Sequence, residues 1–171
     1  MDQRDLWAPW RIGYIQDAAG KAGGCFLCKC IQQPQKAKEN LEVWRTGSSI
    51  VVLNRFPYNN GHLLIAPLRH IGGLLETSDQ ELQDILVQVK KAQLLLDQVL
   101  KPQGYNIGIN LGRCAGAGLA DHLHIHVVPR WNGDTNFMSV CGDTKVISQS
   151  LQELWEQLVS AAGKADRPGA V

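Results

Sequence analysis

Asp121-His122-Leu123-His124-Ile125-His126-Val127-Val128-Pro129-Arg130 is the stretch on which the reading of this chain turns. Imidazoles alternate with branched apolar residues at a period of two, the signature of a half-buried β-strand over His122 to Val128, with Pro129 ending it. His122, His124 and His126 then share one face, while Leu123, Ile125 and Val127 point the other way into a core. Three charged imidazoles side by side would repel, so the row is expected to hold mostly neutral rings near pH 7. Neutral rings suit two chemistries: nucleophilic attack, or ligation of a zinc ion that activates water.

The loop in front of the strand bears on that choice. Gly112-Arg113-Cys114-Ala115-Gly116-Ala117-Gly118 places three glycines within seven residues. Such a loop lets backbone N–H groups approach an anion closely and form a nest for phosphate, which a plain zinc hydrolase has no special need of. Its weight comes from lying next to His124.

Further upstream, Tyr105 to Leu111 reads as a strand. It is preceded by a long helix that opens on a Ser78/Glu81 capping box, carries Leu82, Ile85, Leu86, Val89, Leu96 and Val99 near a period of 3.6, and stops at Lys101-Pro102-Gln103-Gly104. Leu41 to Arg45 and Ser49 to Asn54 form a hairpin across Thr46-Gly47-Ser48. A third strand, His62 to Pro67, follows the turn Pro57-Tyr58-Asn59-Asn60-Gly61. Downstream, a second capping box at Ser150 and Glu153 starts a helix with Leu151, Leu154, Trp155 and Leu158 on its apolar side. The resulting fold class is α+β: a mostly antiparallel sheet with one long helix and a C-terminal helix.

At 171 residues with 44% hydrophobic content, the chain suits one domain, with residues 1–20 as an N-terminal extension and 163–171 as a disordered tail. Seventeen Lys and Arg against 16 Asp and Glu give no basic surface for nucleic acid or a membrane, and no apolar run has the length of a signal or a span. A cytoplasmic location follows as the default. In that reducing compartment the Cys25/Cys28 pair points to metal or redox chemistry, whereas Cys30, Cys114 and Cys141 read as small buried hydrophobes.

The run from Asp121 to Arg130 resembles the H-φ-H-φ-H-φ-φ signature of the histidine triad family. The similarity extends through Asn54-Arg55-Phe56-Pro57, Gly61 to Pro67 and Asn106 to Gly112, covering roughly residues 25–140 by eye. Leu6-Trp7-Ala8-Pro9-Trp10-Arg11 and Trp131 to Phe137 further resemble the bacterial branch that includes diadenosine tetraphosphate phosphorylases.

The resemblance implies nucleotidyl transfer from a dinucleoside polyphosphate or related adenosine nucleotide. His124 would be the nucleophile that attacks the α-phosphorus and His126 its partner at the leaving or phosphoryl oxygen. It further implies that Asn54 contacts ribose, that Asn110 and the backbone of Gly116 to Gly118 hold phosphate, and that His62 supports the catalytic face. A homodimer with sheets joined across a two-fold axis is implied, as is structural Zn2+ held by Cys25, Cys28, His70 and His122. His122, if bound to zinc, anchors the strand and takes no acid or base role.

The chain departs from the family where many members carry Gln or Ser just before the triad. Gly118, Leu119 and Ala120 stand there instead, so Arg113, a backbone amide or a neighbouring Asn would replace the side-chain phosphate donor. Two other function classes stay open: a nucleotide-binding regulatory module with little turnover, and a zinc-dependent hydrolase using the triad as its metal site.

Overall fold

The computed structural model describes residues 24–135 and 147–165. The hairpin forms as the sequence suggests, with β1 (Glu42–Arg45) and β2 (Ser49–Leu53) antiparallel and a register break between Glu42 and Trp44. β3 (Leu63–Pro67), β4 (Gly104–Ile109) and β5 (Ile125–Arg130) complete one antiparallel sheet in the order β1-β2-β3-β5-β4. The histidine strand is therefore interior to the sheet, and β4 lies at its edge.

Three differences from the sequence reading concern this strand and its surroundings. β5 begins at Ile125, so His122, Leu123 and His124 precede the regular pairing. Pro129 does not end β5 but sits within it, opposite Tyr105. The proline fits because β3 pairs only as far as Val127, leaving no partner on that side to require the missing N–H. Two short helices that the sequence reading did not find, α1 (Phe26–Gln32) and α2 (Ala37–Asn40), lead into β1.

The long helix, α3 (Asp79–Val99), packs on one face of the sheet through Ile85, Val89, Ala92, Leu95 and Leu96, against Leu53, Leu63, Ile65, Ile125 and Val127. Leu86 is not on that stripe and is 61% exposed, because one residue beyond Ile85 turns it 100° away from the sheet. The C-terminal helix, α4 (Leu151–Ala165), joins the same core with Leu154 and Leu158, both fully buried, and its Trp155 Nε1 donates to the Glu42 carbonyl of β1. It runs through Gly163, where the sequence suggested that a tail begins; residues 166–171 and the N-terminal extension lie outside the described residues. The opposite face of the sheet carries a smaller apolar cluster, with Leu27 and Cys30 of α1 against Ile50, Val52, Leu64 and Ala66. Cys30 is thus buried as expected, Cys114 is exposed, and Cys141 lies outside the described residues.

The start of α3 is tied to the loop after β3. Ser78 and Glu81 form the reciprocal capping box, and Glu81 also accepts two bonds of 2.7 Å from Arg69. Arg69 first, and then Ser78, hold the Glu81 carboxyl down at about 2. A lowered carboxyl pKa means that the unfolded chain binds the proton more readily. The Glu81 contribution is thus complete above the ordinary carboxylate range and is lost as pH falls towards about 2. Glu81→Gln is expected to cost about 1 kcal/mol at pH 6 and much less at pH 3. Urea midpoints at the two pH values check this, and an equal loss at both would sink it.

Candidate active site

The histidines occupy two adjoining layers of one site. His124 and His126 face each other with ring centroids 4.9 Å apart, and both are more than nine-tenths buried. His124 Nδ1 lies 2.7 Å from the His122 carbonyl oxygen. A carbonyl only accepts, so Nδ1 carries the proton and Nε2 is left with a bare lone pair. Burial lowers the His124 pKa, against a smaller opposing effect of that hydrogen bond, which keeps the ring neutral.

The proton on His126 is fixed by a chain of bonds that starts at the backbone. Phe56 N–H donates to Asn54 Oδ1, which turns Asn54 Nδ2 towards His62 Nδ1 at 3.1 Å. Tyr58 N–H also donates to His62 Nδ1, at 3.0 Å. Two donors at Nδ1 place the His62 proton on Nε2, from which it is donated to His126 Nδ1 at 2.9 Å. His126 must then carry its own proton on Nε2. Asn110 Nδ2 stands 3.4 Å from that nitrogen, and turning the amide over presents its oxygen to the N–H. The site thus pairs a lone pair on His124 with a donor on His126.

Gly61 makes the turn before His62 workable. Its φ is +77°, and a Cβ there would lie 2.5 Å from Leu100 Cδ1. The glycine-rich loop is tightened by a short 3-10 turn over Arg113–Ala115. Gly116 N–H donates to the Arg113 carbonyl and Ala117 N–H to the Gly112 carbonyl. The loop amides at 116 and 117 are therefore used to close the loop itself, unlike the open nest that the glycines alone suggested.

His122 belongs to the second layer. Its Nε2 lies 2.9 Å from the Pro67 carbonyl and so carries the proton, leaving an unprotonated Nδ1 aimed at Cys25 Sγ (3.2 Å) and Cys28 Sγ (3.5 Å). Cys28 Sγ is 3.2 Å from His70 Nδ1. All four ligand atoms lie within 4.8 Å of one another. Zinc bonded to sulfur and nitrogen at its usual lengths sets tetrahedral ligands about 3.6 Å apart, so the donor set and its spacing fit that ion. Cys25 is the N-cap of α1, its Sγ accepting from Cys28 N–H, and burial raises its thiol to about 11. The spacing of Cys25 and Cys28 points to metal or redox chemistry by itself, whereas His70 and His122 join them in the sequence reading only through the resemblance. What that reading missed is Tyr58, whose ring stacks on His126 at 5.4 Å and 19° and lies 4.6 Å from the His62 ring.

Comparison with known proteins gives a consistent result. The family model described as the HIT domain matches residues 35–133. A Mycobacterium tuberculosis protein named AP-4-A phosphorylase is 40% identical over 160 residues, covering 88% of this chain and 82% of that protein. The asymmetrical bis(5'-nucleosyl)-tetraphosphatase of Schizosaccharomyces pombe is 34% identical over 91 residues, covering 53% and 50%. Among solved structures, a Zn-bound histidine triad family protein from Mycobacterium smegmatis superimposes with a TM-score of 0.67 at 22% identity, covering 84% of this chain and 96% of that one.

Proposed function

Because this chain belongs to the HIT domain family, we propose that it is a nucleotidyl-transferring enzyme acting on dinucleoside polyphosphates, with phosphorolysis of diadenosine tetraphosphate as its reaction. The observation that carries the reading is the tautomer pair, a lone pair on His124 Nε2 beside a proton on His126 Nε2. His124 Nε2 attacks the α-phosphorus, and the bond from that phosphorus to the bridging oxygen breaks. The leaving ATP takes the His126 proton, and AMP remains on His124. An oxygen of inorganic phosphate then displaces His124 from phosphorus to give ADP, while His126 recovers a proton. Asn54 and His62 act by fixing that proton on Nε2, and the role of phosphate contact for Asn110 is supported by its side chain standing 3.4 Å from His126 Nε2. Gly116 and Gly118 shape the loop beside it.

The same arrangement speaks against the triad as a zinc centre. His126 accepts the His62 proton at Nδ1 and carries its own on Nε2, so neither of its nitrogens is bare, and the bare nitrogen of His122 turns to the thiols, which leaves His124 Nε2 alone on that face. Zinc held by Cys25, Cys28, His70 and His122 would have four protein ligands and no open position for water, which makes its role structural. A homodimer through β4 is supported by that strand's place at the edge of the sheet among the described residues and by the exposure of Ile107. A reducing cytoplasm fits the free thiols of Cys25, Cys28, Cys30 and Cys114, and no helix among the described residues is long and apolar enough to cross a membrane.

Product analysis of diadenosine tetraphosphate turnover tests the reading. ADP and ATP should appear together and only when phosphate is supplied. AMP release without phosphate would make the enzyme a hydrolase, and no turnover at all would leave a nucleotide-binding module.

A further inference from the structure

Beyond His126, on the same face of the sheet, lies a cavity of about 300 Å³ lined by Tyr58, Asn59, Asn106, Val128, Arg130 and Thr135. Its place follows from the strand register. Val128 and Arg130 are two and four residues past His126 on β5, while Asn106 faces Val128 and Gly108 faces His126 from β4. No side chain rises from Gly108, and a Cβ built there meets nothing within 4 Å, so the way from His126 into the cavity is clear on that side.

The walls are polar but electrically compensated. Arg130 donates to both carboxylate oxygens of Asp134 and, through Nη1, to Asn106 Oδ1. Asn59 Nδ2 donates to the same Asp134 carboxylate at 2.8 Å. The bidentate partner cancels the guanidinium charge, so the cavity offers little attraction to a phosphate. What it does offer is the Tyr58 ring, 42% exposed, the Val128 side chain, and an Asn106 amide whose oxygen is held by Arg130 and whose NH2 is left as a donor. A flat, uncharged group with hydrogen-bonding edges matches those walls.

We propose that this cavity binds the distal nucleoside of the substrate, the one that departs with the polyphosphate after attack by His124. The proposal rests on the reading of the chain as a dinucleoside polyphosphate enzyme. It makes the cavity the feature that separates dinucleoside from mononucleoside polyphosphates, with Tyr58 as the stacking surface and Asn106 as the edge contact.

The test compares kcat/KM for diadenosine tetraphosphate with that for adenosine 5'-tetraphosphate, which has the same reacting phosphorus and four phosphates but no second nucleoside. Wild type is expected to favour the dinucleotide by about tenfold, the scale of one stacked base. Asn106→Trp and Thr135→Trp, which fill the cavity from two different segments, should each bring the ratio close to one. A wild-type ratio near one, or a ratio unchanged in both variants, overturns the proposal while leaving the function reading intact. No turnover of either substrate by wild type defeats the function reading, and this proposal with it.

Discussion

His124→Ala should lower the turnover of diadenosine tetraphosphate by roughly 10⁴-fold or more, the scale on which an enzyme loses its nucleophile. Thermal and urea midpoints should change far less, because the ring's polar bond is to a backbone carbonyl of its own segment, that of His122. His126→Ala should cost about 10²- to 10⁴-fold, as expected for loss of a proton donor. The two variants separate further when the leaving group is changed. An AMP ester of an acidic phenol departs without needing a proton, so it should rescue most of the His126→Ala defect and none of the His124→Ala defect. Steady-state kinetics on the two substrates decide this. A His124→Ala enzyme that keeps more than about 1% of activity, or one rescued by the phenolic ester, would sink the assignment of the nucleophile.

The pairing of a bare nitrogen with a protonated one was only partly legible in the sequence. Alternation from His122 to Val128 put the rings on one face, and it held for His124 and His126. It cannot show that regular pairing starts at Ile125, because that start is set by where β4 ends and where the pairing with β3 stops. The protonation states are out of reach for a related reason: that of His124 depends on its ring turning back to the His122 carbonyl, and that of His126 on a contact made across a large sequence separation. His62 and His126 are 64 residues apart, and the donors that orient His62 are the Asn54 side-chain amide and the Tyr58 backbone N–H. Short helix α1 does not show in the sequence because seven residues carry too little periodicity, although Cys25 at its N-cap stands out through its pairing with Cys28. The Ser78/Glu81 box is legible in the sequence because its chemistry is local. Its third partner, Arg69, lies twelve residues from Glu81, outside any local pattern.

Removal of the metal from the Cys25, Cys28, His70 and His122 site is the second large effect expected. The site joins three segments: the start of α1, the loop after β3, and the approach to β5. Around it, His122 Nε2–H donates to the Pro67 carbonyl and Leu123 N–H to the Ile71 carbonyl at 2.6 Å. The His122 carbonyl in turn holds His124 in the tautomer with its proton on Nδ1. Structural zinc contributes on the order of 10 kcal/mol in domains that have little else. Here a separate core exists, so a loss of roughly 3 kcal/mol, or about 10 °C in Tm, is the reasonable scale. Protein purified without chelator should contain one zinc per chain, and chelation or Cys25→Ser should lower Tm by that amount. The Cys25 thiol is pushed up to about 11 without a metal, so zinc must displace protons to bind, and its affinity should fall as pH falls. Loss of metal should also reduce kcat more than it raises KM, since the carbonyl that orients His124 belongs to a ligand residue. Metal-free protein with an unchanged Tm would show that the four side chains hold together by their hydrogen bonds alone, and would remove zinc from the account of this site.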